Sequence, residues 1–276
     1  MRAEMDILEN NIVVESGQYR QLVLSDDTEH LQANEEHCDI VVKENASLEL
    51  YRIQNLDETT GLKTHIHIHQ ERDSRVHFVV ISFNAGDLRN HIEVDIDGEG
   101  CETQVYGLYL VDKKQHMENF LKINHNVAHC TSDTRFKGIM DDEASAVFNG
   151  HVYVAPGAQK TDAQQNNANI ILTSTAKIDT KPFLEIYADD VKCSHGTSTG
   201  QLDQEAMFYM RQRGISKANA RMLLMYAFAA EISNHIKIDS LRDTIEDMIK
   251  RRLRGELSSC DRCVLHCKKP VGPKGQ

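Results

Sequence analysis

The sequence predicts an all-β block followed by a three-helix end, on three observations. From about residue 38 to 201 the hydrophobic period is two rather than 3.6, as in Leu48-Glu-Leu-Tyr-Arg-Ile53, His65-Ile-His-Ile-His69, Ile92-Glu-Val-Asp-Ile96 and Phe183-Leu-Glu-Ile-Tyr187. Proline is scarce, with four in 276 residues and none before Pro156, so backbone ladders can run uninterrupted. At Asp203 the period changes to that of a helix.

Residues 1–37 are set apart as an N-terminal segment. Within 38–201, runs begin near 48, 64, 76, 91, 105, 119, 133, 145, 151, 168, 183 and 191. Turn signals separate them at Asn84-Ala-Gly86, Asp97-Gly98, Asn149-Gly150 and Pro156-Gly157. About a dozen short strands with no helix between them fit a sandwich, a barrel or a β-solenoid, and no strict repeat chooses the last. Asp203 is placed to cap a helix over Gln204–Arg213, and Gly214 to stop it, because Asp accepts from free N–H groups and Gly tolerates positive φ. Ser216 caps a second helix running to about His235. Ser240 with Asp243 resembles a capping box opening a third, 240–254, which completes a helical segment over 202–255. Residues 256–276 turn polar and basic, with Pro and Gly, and read as a flexible tail.

Composition narrows the function. With 40% apolar and 26% charged residues the chain can build a core, which excludes wholesale disorder. The formal charge of −11 excludes a global basic coat for nucleic acid. That charge is uneven: residues 248–276 carry +6, leaving −17 on 1–247. The longest apolar run, Met222–Ala230, is nine residues, far short of the ~20 that span a bilayer. The N-terminus, MRAEMDILENN, lacks an apolar signal core, so the chain is expected in the cytoplasm, where thiols stay reduced. Seven scattered Cys fit that setting better than a disulfide framework.

Several side-chain groupings invite chemistry. In the second helix, Ala218, Met222, Met225, Ala229 and Ile232 form one stripe, with Leu224, Ala227 and Phe228 beside it. A surface helix needs one apolar stripe, so this one wants cover on two sides: from the β block, or from a partner. His65, His67 and His69 share one strand face at about 6.7 Å intervals; three in a straight row rarely converge, and a solvated face over inward Ile66 and Ile68 is the simpler reading. Cys260-x2-Cys263-x2-His266-Cys267 offers half of a zinc site but lacks a second C-x2-C. Asp141–Asp142 and Asp189–Asp190 are poor carboxylate catalysts, since strand neighbours point oppositely, and Asp141 suits a turn.

The sharpest chemical signal is Lys192-Cys193-Ser194-His195-Gly196. In an extended strand Cys193 and His195 project to one face, where thiolate and imidazole can reach one soft metal ion. Lys192 is expected to lower the thiol pKa against Asp189 and Asp190, and Gly196 to allow a bend or close backbone approach. Spacing alone still favours a structural Cys and a surface His. No nucleophile elbow, P-loop or dinucleotide fingerprint is present.

The run Ala188-Asp-Asp-Val-Lys-Cys-Ser-His-Gly-Thr197, then Gly200-Gln-Leu-Asp203, Met207-Phe-Tyr-Met210 and Arg213-Gly-Ile215, resembles the SufB/SufD family of the Suf iron–sulfur cluster assembly system. Ala220-Arg-Met-Leu-Leu224, Ala227-Phe-Ala-Ala-Glu231 and Gln165-Asn-Asn-Ala-Asn-Ile-Ile-Leu172 continue it, densely over 145–235 and diffusely over 40–145. The resemblance implies a right-handed parallel β-helix core with a C-terminal helical segment, and no catalysis of its own. It implies pairing with a SufB-like subunit, or self-pairing when isolated, and docking of a SufC-like ATPase on the helical end. It also places Cys193 and His195 near the partner interface, where a transient iron or iron–sulfur cluster is shared and none is tightly bound.

Two departures stand out. Family members usually open with a helical N-terminal region, whereas this chain enters the β block within about forty residues. The SufB branch carries a sulfur-accepting Cys upstream of the motif; residues 164–176 hold none, which favours the SufD branch. Two other functions compete: a carbohydrate-active β-helix enzyme, which needs convergent carboxylates, and an autonomous metal-binding module built on the His row or the Cys tail. The docking surface is expected to include Met222 and Phe228, which serve both packing and ATPase binding, and Arg211 and Lys217 as exposed contacts. The helical end is expected to cap one end coil of the β-helix.

Overall fold

A computed structural model describes residues 11–28, 31 and 34–254. Among these residues, fourteen strands alternate between two seven-stranded parallel sheets. The first contains β1 (Asn11–Val14), β3 (Glu35–Val42), β5 (Gly61–Gln70), β7 (Asp87–Ile96), β9 (His116–His125), β11 (Ser145–Val154) and β13 (Lys177–Ile186). The second contains β2 (Tyr19–Asp27), β4 (Ser47–Asn55), β6 (Arg75–Asn84), β8 (Glu102–Val111), β10 (Thr131–Met140), β12 (Asp162–Ile171) and β14 (Lys192–Gly200). Each strand pairs with the one two places later, so every coil contributes one strand to each sheet: a parallel β-helix, the solenoid among the three architectures that periodicity left open.

The register explains why no repeat was visible. One coil advances 26 residues from His67 to Glu93 but 32 from His151 to Phe183. The corners are more regular than the strands. Between the first and second sheets, Gly17, Asn45, Asp73 and Gly100 adopt positive φ, a conformation that Gly, Asn and Asp tolerate. Their turns stack, with the Gly17 N–H donating to Glu44 O, Asn45 to Arg72 O and Asp73 to Glu99 O. Behind them runs a buried column of small side chains: Ala46, Ser74, Cys101, Cys130 and Thr161. Cys101 and Cys130 are therefore free structural thiols, and Cys101 Sγ donates to Glu71 O at 3.0 Å.

The two sheets differ in how they meet water. Strands β5 and β7 alternate buried and accessible residues, with the inner set in the core between the sheets. Strands β4 and β6 are buried on both faces, because helices cover the outer face of the second sheet at its central strands. These are α1 (Gln204–Gln212), α2 (Lys217–Ser233) and α3 (Asp239–Leu253). Met225, Ala229 and Ile232 of α2 and Ile245, Met248 and Ile249 of α3 pack on Tyr51, Val79, Ile81, Phe83 and Tyr106. Polar contacts fix this docking. His77 Nε2 donates to His235 O at 2.7 Å, His235 stacks on Tyr106, and Arg252 donates to Phe83 O at 2.9 Å and to both Asp112 carboxylate oxygens at 2.6 and 2.7 Å.

Four expectations need correction. Among the described residues, strands already run from Asn11, ahead of the boundary expected at 38, because Asn11–Val14 and Tyr19–Asp27 join the ladders. Asn149-Gly150 is not a turn: both lie inside β11, which merges the runs expected at 145 and 151, and Gly150 leaves the space that Gln165 fills. The third helix is entered from Ile238, with no side-chain cap, and Ser240 lies in its first turn. The helical end lies along the outer face of a sheet rather than over an end coil. The other caps form as expected: Asp203 Oδ1 accepts from the N–H groups of Glu205 and Ala206, and Ser216 Oγ from Asn219.

Candidate functional site

The site is built by the register of β14 on β12. Cys193 lies opposite Ala163, His195 opposite Gln165 and Thr197 opposite Asn167. Ala163, Gln165 and Asn167 are buried members of the inward row, so Cys193 and His195 share that inward face, as their i, i+2 spacing requires. Thr197, next along the row, meets Thr180 of the facing strand β13, Oγ1 to Oγ1, at 3.3 Å.

Among the described residues nothing follows this coil. β13 pairs only with β11 and β14 only with β12. The row that is core in earlier coils is thus open at the end of the stack. His195 is exposed, and Cys193 is half-buried against Val152, Val154, Ala158, Ala163 and Ala188. Burial pushes the Cys193 thiol up, and the nearby Asp162 carboxylate adds to the rise. The depressing effect expected of Lys192 is not what the structure gives, because Lys192 points to the opposite face. Asp190 is occupied elsewhere, pairing with Lys160 and donating its N–H to Gln159 Oε1 at 2.8 Å. A Cβ on Gly196 would approach nothing closer than 3.9 Å, so no close approach within the chain demands that glycine.

A cleft of about 460 Å³ runs beside this edge, lined by Arg135, Lys137, Asn166, Ser194, His195 and Glu231 among others. Among the described residues no third Cys, His or carboxylate joins Cys193 and His195 in a three-ligand group. By itself this coil offers a thiol and an imidazole, two of the four ligands a cluster usually takes.

On the helices, Arg211 and Lys217 are exposed. Met222 and Phe228 are half-buried, Phe228 beneath Lys137 with Nζ 4.2 Å from the ring centroid. The large apolar residues that α1 and α2 show to solvent are Phe208, Tyr209 and Leu223, at 60%, 61% and 39% exposure. Phe208-Tyr209 carries a sequence signal, two adjacent aromatics on a nine-residue helix, which lies outside the apolar stripe of α2. The end coil adds Phe183 and Tyr187, both more than half exposed.

The other candidates separate cleanly. Asp142 is a turn residue at φ 53°, and Asp141 Oδ2 takes Arg221 at 3.2 Å. His65, His67 and His69 line the outer face of β5 over buried Ile66 and Ile68. Cys260, Cys263, His266 and Cys267 lie outside the described residues. Among the described residues no helix is long and apolar enough to cross a membrane.

Residues 2–228 match the family model described as SUF system FeS cluster assembly, SufBD core domain. The chain is 39% identical over 168 residues to the iron–sulfur cluster assembly protein SufD of Escherichia coli, covering 61% of this chain and 40% of that protein. To an iron–sulfur cluster assembly SufBD family protein of Synechocystis it is 37% identical over 185 residues, 67% of this chain and 41% of that one. To SufD of Bacillus subtilis it is 28% identical over 223 residues, 78% and 50% of the two chains. The matches thus span half or less of the length of these relatives.

Proposed function

The chain belongs to the SufBD core family of the SUF system for iron–sulfur cluster assembly, and from that premise we propose that it is a non-catalytic, cytoplasmic subunit of an assembly scaffold. Its open end coil pairs with a SufB-like subunit, and its helices α1 and α2 receive a SufC-like ATPase. Cys193 and His195 supply soft ligands to a cluster in transit, and the partner, sulfide or solvent supplies the rest.

One observation carries this reading. The Cys–His pair lies on the inward row of a coil that no described residue covers, with no third ligand in the three-residue groups of the described chain. An incomplete site suits assembly, because a cluster held by four thiolates of one chain would be hard to release. The unpaired backbone of β13 and β14 suits a partner, because an open edge takes another strand readily. Pro182 lacks an N–H, and proline inside a strand is tolerated at such an edge.

The test is cluster formation in the reconstituted three-component complex. Cys193→Ser and His195→Ala should each leave co-purification with both partners intact. The double variant should lower cluster yield several-fold. A full yield from the double variant would return both residues to purely structural roles. Loss of co-purification with a SufB-like subunit on changing the end coil would support the pairing assignment independently.

A further inference from the structure

The outer face of the first sheet carries histidines and carboxylates at a density the assembly role does not use. His37, His65 and His91 stack across β3, β5 and β7, with ring centroids 4.5 and 5.1 Å apart. The row on β5 does not converge as three imidazoles. It splits: His65 faces Glu35 and His37 of the preceding coil, and His67 and His69 face Asp95 of the following one.

The second group is the better built. His67 Nε2 lies 2.7 Å and His69 Nδ1 3.6 Å from Asp95 Oδ2, and ligand atoms of all three lie within 4.8 Å of one another. A tetrahedral ion with bonds of about 2.0 Å sets its ligands about 3.3 Å apart, so small rotamer changes suffice. The arrangement follows from the ladder: Asp95 stands level with His69 across the strand pair and diagonal to His67, on strands about 4.8 Å apart.

Asp95 is also oriented from behind. Asn124 Nδ2 donates to its Oδ1 at 2.6 Å and to Glu93 Oε1 at 3.0 Å, which turns Oδ2 toward the two rings. Burial works against the Asp95 carboxylate, yet the hydrogen bonds from Asn124 and His67 outweigh it and hold the group below its usual range. Asp39 and Asp97 stand within 3.7 Å of His67 and His69 respectively, so the local field favours a cation. Each imidazole is about a third or more exposed and open to entry from solvent.

We propose that His67, His69 and Asp95, held by Asn124, form a binding site for one divalent first-row transition ion on the outer face of the β-helix. Two imidazoles and a carboxylate suit zinc, cobalt, nickel or ferrous iron better than the all-oxygen preference of Mg²⁺ and Ca²⁺. The remaining positions go to water, with Asp97 within reach. The Glu35–His37–His65 group is the weaker, since Glu35 is more than half exposed. The site is separate from the Cys193–His195 coil and independent of the assembly role.

The experiment uses the full chain with Cys193, Cys260, Cys263 and Cys267 changed to Ser, which leaves only the buried thiols of Cys38, Cys101 and Cys130. Titration with Zn²⁺ by calorimetry, and with Co²⁺ by its visible ligand-field bands, should give one tight event per chain that excess Mg²⁺ does not displace. His67→Gln and His69→Gln should each raise Kd at least tenfold and remove the Co²⁺ bands. Asn124→Ala, which removes no ligand, should raise Kd about tenfold, the usual cost of losing a group that orients a ligand. His37→Gln should leave the tight event unchanged. Melting temperatures without metal should agree among these variants, and added metal should raise that of the parent but not of His67→Gln. An unchanged Kd in the His67→Gln/His69→Gln double variant, or a tight event lost with His37→Gln, overturns the proposal. Neither readout depends on cluster assembly, so failure here leaves the assembly role standing.

Discussion

Arg252 shows how much one side chain can hold. It is 8% exposed, reaches from α3 across to β6 and the turn after β8, and donates to Phe83 O and both oxygens of Asp112. Arg252→Ala strands a partly buried carboxylate and a bare carbonyl, and should cost about 3 kcal/mol in urea unfolding. His125 makes the opposite case. It is fully buried, its Nε2 meets Ser132 Oγ at 2.8 Å, and burial pushes its pKa down to about 4. The unfolded chain, with an ordinary histidine near 6.5, therefore binds the proton first. Stability is whole above that value and falls as pH drops toward 4, at about 1.4 kcal/mol per unit. Between pH 6.5 and 5, wild type should lose on the order of 2 kcal/mol more than His125→Gln; equal acid slopes would contradict the assignment.

At the scale of elements, the core is set by inward residues of unequal size on neighbouring strands. A Cβ on Gly107 of β8 would lie 2.3 Å from the ring of Phe136 on β10, directly opposite. Gly107→Ala should thus destabilise by about 1–3 kcal/mol, the usual cost of overpacking. The helices divide their labour. Met225, Ala229 and Ile232 are buried on the solenoid, while Ala218 at the other end of the same stripe is exposed. The stripe read from the sequence is therefore covered by the described residues only toward its C-terminal end. Reversing Arg211 and Lys217 together should weaken a SufC-like ATPase at least several-fold in pull-down titrations while the melting temperature stays within about a degree. Intact binding, with Phe208 and Tyr209 also changed, would move the docking site elsewhere.

At the scale of the whole molecule the solenoid is asymmetric. One sheet shows a polar, histidine-rich face to water and the other is covered by helices over its central strands β4, β6 and β8. The last coil ends in unpaired strands with Phe183 and Tyr187 exposed. Phe183→Asp with Tyr187→Asp removes apolar contact area at two side chains that are each more than half exposed. It should weaken pairing with a SufB-like subunit at least tenfold and leave unfolding unchanged; undiminished pairing would place the interface away from the end coil.

Much of this was legible beforehand, for reasons tied to particular residues. Alternation in His65–His69 and Ile92–Ile96 gave strands with the correct inward set, because one face of that sheet is solvated. Asp203, Ser216 and Gly214 located two helices, because capping is a local hydrogen-bond problem. The same-face pairing of Cys193 and His195 followed from the pleat alone. Less legible was Asn149-Gly150, a turn by composition and mid-strand in fact, since only Gln165 from the next strand explains the glycine. The corner turns carried an unread signal, with Asn45-Ala46, Asp73-Ser74 and Asp142-Ala144 each placing a positive-φ residue before a small buried one.

What the sequence determined by itself is therefore local: the strand period, the helix caps, the charge that excludes a nucleic-acid coat, and the chemistry of the residues at 193 and 195. The tertiary structure alone decided what lies between elements. It decided that coils of 26 to 32 residues stack in register, that the helices seal a sheet rather than an end, and that the Cys–His pair stands on an open coil. It also split the His row, sending His67 and His69 to Asp95 and His65 to Glu35. The physical reason is the same in each case. Period and capping are short-range properties of consecutive residues, whereas register, burial and ligand convergence join residues 26 or more apart, whose meeting no local pattern records.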